Sequence, residues 1–154
     1  MDNNDKIKRV YSDQAYNLLI LLKVFLFIDL LTYIIPLFVF KEFDFGLVLD
    51  IIAFVFVILA YDNVTHDLKS SKTRVLISII PIAWIIIYDV IDMLLNADSF
   101  ILVYSFTYAG DYLKLAFLLE ILILVLQIRT YIALSKSLGE KQFMDPTEEF
   151  YTKN

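Results

Sequence analysis

The sequence predicts an all-α protein: a polytopic membrane bundle of four transmembrane helices with both termini cytoplasmic. Three observations predict it. The 154 residues are 60% hydrophobic, with a mean hydropathy of +0.72, whereas a soluble domain is nearer half apolar. The apolar residues gather into four blocks, each near the ~20 residues that a membrane-crossing helix needs. Lysine and arginine crowd into alternate connections, which marks those connections as cytoplasmic. Glycine and proline number only 3 each, too few for the turns of an all-β chain.

Residues 1–17 read as a cytoplasmic N-terminal segment. The first span is expected over 18–40, "LLILLKVFLFIDLLTYIIPLFVF". Lys23 falls near its cytoplasmic end, ~7.5 Å in at the helical rise, so its stem can snorkel back to the headgroups. The second span, the shortest, is expected over 46–64, and the third over 75–95. The fourth is expected over 112–134, where Lys114 can snorkel to the outer surface. Pro36 and Pro81 each remove a backbone hydrogen bond inside a span and favour a kink. The stretch Ser99–Gly110 is apolar and aromatic but too short to cross, so it is expected either at the membrane interface or folded back over the mouth of the bundle. Residues 135–154 read as a cytoplasmic tail. Gly139 is expected to stop the fourth helix, and Asp145 and Pro146 to cap and begin a short one.

Orientation follows from the cations. Lys6, Lys8 and Arg9, then Lys69, Lys72 and Arg74, then Arg129, Lys136, Lys141 and Lys153 make ten charges on one side. The opposite connections hold only Lys41. The expected location is the cell (cytoplasmic) membrane, with the lipid bilayer as the first partner.

Several classes of function are excluded. A net charge of −5 leaves no basic face to neutralise phosphates, so nucleic acid is not an expected partner. Cysteine is absent, which removes disulfides, thiolate catalysis and cysteine metal sites. The one histidine, His66, cannot form a metal cluster alone. No glycine-rich phosphate loop or nucleophile motif is present, so the chain does not read as an enzyme, and no cofactor follows from its residues. The first apolar block is too long for a signal-peptide core and lacks a small-x-small cleavage site. Four spans with aspartates near the outer surface are similar in layout to bacterial lipoprotein signal peptidases, and "NADS" at Asn96–Ser99 is similar to part of their second aspartate motif. Their glycine-rich Asn…Asp-Arg segment is absent here, so the likeness assigns nothing.

The chemistry-bearing residues are acids inside the spans. At the helical rise, Asp89 lies ~10 Å and Asp92 ~6 Å below the outer end of the third span. Glu120 lies ~12 Å, Asp50 ~6 Å and Asp29 ~16 Å below the outer ends of their own spans. Asp89, Asp92 and Asn96 share one helix face, as do Asp29 and Tyr33, and Glu120 and Gln127. A carboxylate turned to lipid costs about 2.5–3.5 kcal/mol, so these faces should point into the bundle. Asp29, Asp50, Asp89, Asp92 and Glu120 therefore form the candidate site for a cation, a proton or a partner's cationic group, supported by Tyr33, Tyr88, Asn96 and Gln127. Two functions are expected. One is a binding role, as an accessory, regulatory or immunity-type subunit of a larger membrane complex. The other is a transporter or channel subunit that handles cations or protons, working as a homo-oligomer.

Overall fold

The computed structural model describes residues 3–40, 45–95 and 108–139. Within them the chain forms four α-helices: α1 (Asn3–Phe40), α2 (Phe45–Asn63), α3 (Leu68–Leu95) and α4 (Tyr108–Ser137). Each contains a stretch long and apolar enough to cross a membrane, at Lys8–Ile34, Phe45–Asn63, Leu68–Asp92 and Leu115–Ser137. The expected tail helix at Asp145–Pro146 and the connection from 96 to 107 lie outside the described residues.

The helices form a square. α1 packs on α2 and α4, α3 packs on the same two, and among the described residues the backbones of the diagonal pairs do not approach one another closely. Side-chain pairs show that neighbours are antiparallel. On α1 and α2, Tyr16 meets Tyr61 and Phe27 meets Phe54. On α3 and α4, Lys72 lies over Tyr131 while Ser78 meets Gln127. On α1 and α4, Tyr11 meets Lys136 while Tyr33 meets Glu120. One end of the bundle therefore collects the start of α1, the α2–α3 connection and the end of α4. We call it the basic end, since Lys8, Arg9, Lys69, Lys72, Arg74 and Lys136 lie there.

Heptad-like spacing builds the core. α1 contributes Ala15, Leu19, Leu22 and Leu26, and α2 contributes Ala53, Val57 and Ala60, with Val64 just past its end. α3 adds Val75, Ile82 and Ile85, and α4 adds Ile123, Ala133 and Leu134. Steps of three, four and seven keep the sets of α1, α2 and α3 each on one helix face, and on α4 the buried Gln127 and Thr130 complete the same spacing from Ile123 to Leu134. The outward faces are as apolar as the core: Phe27, Val55, Ile80 and Leu118 are exposed, while Asp29, Asp50, Ser71, Ser78, Glu120, Gln127 and Thr130 are buried. Water would select the opposite arrangement. Small residues let α2 and α3 approach, and the Ser71 hydroxyl donates to the Ala60 carbonyl across that contact at 2.7 Å, as is common between membrane helices.

The helix ends carry recognisable stops. The Asp67 side chain accepts the Ser70 backbone N–H at 3.0 Å, the bond of an N-cap to its third helical residue. α3 thus begins at Leu68, and most of the polar run 62–74, read from sequence as a connection, is helix. The Arg74 guanidinium folds back and donates to the Leu59 carbonyl, tying the two helices together. α4 ends as the sequence expects, with Gly139 at a φ of 73°, a left-handed closure that glycine adopts without penalty.

Candidate functional site

The far half of the bundle holds an acidic centre. α1 presents Asp29 and, one turn on, Tyr33. α2 presents Asp50, with Gly46 one turn before it. α3 presents Asp89 and α4 presents Glu120. Asp29 and Asp50 are fully buried and Glu120 is 1% exposed, while Asp89 is half-buried. Four carboxyl groups, one from each helix, thus meet inside an otherwise apolar bundle.

They meet in pairs. Asp29 and Asp50 lie within hydrogen-bonding reach of each other across the α1–α2 contact. Glu120 and Asp89 do so across the α3–α4 contact. Tyr33 links α1 to the second pair: its hydroxyl donates to Glu120 Oε1 at 2.6 Å. Among the described residues, no donor reaches either oxygen of Asp29 or the second oxygen of Glu120. Two ionised carboxylates cannot bond to one another, because both only accept. A proton on either one supplies the missing donor. Among the described residues, no three acids converge closely enough to hold one metal ion.

Gly46 makes the Tyr33 bond possible. A Cβ at this position would stand 2.8 Å from Cε1 of Tyr33 and 3.0 Å from Cζ, closer than a side chain tolerates. The bare backbone of α2 leaves room for the ring, whose hydroxyl reaches α4. Sequence reading placed Gly46 only at the start of a span.

Toward the basic end the centre stands on apolar packing. Leu22 and Leu26 precede Asp29 on α1, and Ala53 and Val57 follow Asp50 on α2. Ile82 precedes Asp89, and Ile123 follows Glu120. All six are fully buried in one cluster.

The remaining expected site residues lie elsewhere. Asp92 and Tyr88 are exposed on α3. Gln127 is fully buried but lies two turns nearer the basic end, donating to the Ser78 carbonyl at 2.9 Å and its hydroxyl at 3.2 Å. Pro81 removes the N–H that the Ile77 carbonyl would bind, and Gln127 takes the carbonyl beside it. Asn96 lies outside the described residues. The Lys23 ammonium ends 3.2 Å from the centre of the Tyr61 ring. The Tyr61 hydroxyl in turn meets that of Tyr16 at 2.8 Å.

No protein-family model, curated protein or solved structure matches the chain.

Proposed function

We propose that the chain is a multi-pass membrane protein, with its basic end cytoplasmic, that acts by binding as an accessory or regulatory subunit. Its working part is a proton-binding carboxyl centre in the outer half of the bundle. One observation carries this reading: paired carboxyl groups, one from each helix and three of the four buried, with an apolar floor on the cytoplasmic side. The pairing favours protons over metal ions. The floor favours a site that answers to the outside over a path through the bundle, since transfer across it would need hydrogen-bonding groups that Leu22, Leu26, Val57, Ile82 and Ile123 do not offer.

Protonation then becomes a structural signal. With a proton in each pair, Asp29 binds Asp50 and Glu120 binds Asp89, and all four helices are tied. Loss of those protons sets like charges face to face in a medium that screens them poorly, which loosens the far half of the bundle. The groups facing one another are Asp29 and Tyr33 from α1, Asp50 from α2, Asp89 from α3 and Glu120 from α4. A partner packed on the outside would sense that loosening.

Thermal unfolding of the full chain in phospholipid nanodiscs, from about pH 5 to about pH 8, tests this. Stability should fall as pH rises, because loss of the shared protons breaks both carboxyl pairs. Asp29→Asn and Glu120→Gln should each flatten the profile, and calcium or magnesium should leave it unchanged. A wild-type profile with no pH dependence, or one shifted by divalent cations, would overturn the proton reading.

A further inference from the structure

One face of α4 joins an apolar stripe to a basic end. Leu115, Leu118, Leu122 and Val125 are exposed along it, and Arg129 and Lys136 continue it. The stripe stays within about 40° of Arg129 around the helix. It runs beside the contact with α1, since the Lys136 ammonium lies 5.2 Å from the centre of the Tyr11 ring. Lys8 of α1 closes the same seam. Its ammonium stands 3.8 Å from where a Cβ of Gly139 would be.

Arg129 decides what this seam suits. It is exposed and lies within the membrane-crossing stretch Leu115–Ser137, about 10 Å deeper than Lys136 at the helical rise. Among the described residues it makes no hydrogen bond, ion pair or ring contact. A guanidinium turned to hydrocarbon is costly, and a long stem can carry it back to the headgroups. There its planar fork matches the paired oxygens of a phosphate. Asp13, Asp62 and Asp67, acids of the same end, stand elsewhere. Asp13 is exposed two residues from Tyr11, about 160° away around α1. Asp62 and Asp67 flank the α2–α3 connection.

We propose that the α1–α4 seam binds one anionic phospholipid from the leaflet at the basic end. Its phosphate sits between Arg129 and Lys136, with Lys8 nearer the water, and its acyl chains lie along Val125, Leu122 and Leu118. A zwitterionic lipid offers the same phosphate but sets its own cation against Lys136 and Lys8, where like charges repel. The seam therefore selects headgroups of net negative charge. This site requires that the chain spans a membrane, but it does not depend on the proton centre.

Native mass spectrometry of the full chain in mild detergent counts the lipids it retains. The probes are phosphatidylglycerol and phosphatidylcholine with the same acyl chains, supplied in equal amounts. One phosphatidylglycerol should be retained in preference to phosphatidylcholine. Arg129→Gln and Lys136→Gln should each weaken that retention about fivefold, the share of one cation at a membrane surface. Arg129→Lys should keep most of it. Lys69→Gln, exposed on α3 across the bundle, should change nothing. None of these substitutions touches the carboxyl pairs, so the pH profile of unfolding tests the proton centre separately. Equal retention of the two lipids, or retention undiminished in Arg129→Gln protein, would reduce the seam to ordinary lipid contact. Displacement by an excess of inorganic phosphate would make it a site for a free anion. An equal loss in Lys69→Gln protein would spread the attraction over the whole basic end. Any of these results would overturn the proposal.

Discussion

Tyr33, Gly46 and Glu120 form the tightest device in the molecule. The phenol bridges two helices at 2.6 Å, and the missing side chain at position 46 gives it room. Hydrogen bonds between membrane helices contribute about 0.6–1.7 kcal/mol, so Tyr33→Phe should lower bundle stability by about that amount. Gly46→Ala should do similar damage without touching any polar group, because its Cβ would displace the ring. In a Tyr33→Ala background the ring is gone, and Gly46→Ala should then cost little. Gly46→Ala, Tyr33→Ala and their combination, compared with the wild type by unfolding in mild detergent, form a double-mutant cycle. Additive effects would show that Gly46 does not act through Tyr33. Tyr33 was legible in the sequence because it shares a helix face with Asp29. Gly46 was not, since a close approach depends on where two helices cross and leaves no periodic signal.

Among the elements, α3 shows most clearly what a sequence conveys. Its apolar stretch could hardly be missed, because lipid-crossing helices leave a composition unlike any loop. Its start was misplaced by about two turns. Lys69, Ser70, Lys72 and Thr73 are compatible with a solvated helix or a connection alike, and the cap at Asp67 decides between them. Asp67→Ala should therefore fray the first turn of α3 at a cost of about 0.5–2 kcal/mol, read as faster amide exchange at 68–71 with the spans unaffected. No change there would show that the cap is idle. On α4, Glu120 and Gln127 share a face, as their spacing requires, yet two turns of rise separate them. Periodicity gives the face of a residue but not its neighbours. Gln127 accordingly belongs with Ser78, beside the carbonyl that Pro81 leaves free. Asp92 shows the complementary effect. Three residues beyond Asp89 is a rotation of about 60° back around the helix, and Asp89 is itself only half-buried, so Asp92 falls outside a narrow interior stripe.

At the scale of the whole molecule, four helices of alternating direction bring one acid apiece to the same level and leave the cations at the other end. That convergence was partly legible, since the cost of a carboxylate in lipid turns each acid inward. The pairing was not, because it depends on register between helices. Orientation has its own test: reporters fused at the N-terminus, within 64–67 and at the C-terminus should all report cytoplasm, and one at 41–44 should report the outside. Termini on opposite sides would contradict the four-span arrangement. The central claim is that the buried carboxyl groups hold and release protons. The infrared carbonyl stretch of protonated carboxyl groups tests it most directly, recorded on the reconstituted full chain from about pH 5 to about pH 8. The account predicts a protonated-carboxyl band that declines as pH rises and is reduced in both Asp29→Asn and Glu120→Gln. A band unchanged by pH, or one that both substitutions leave intact, would contradict it.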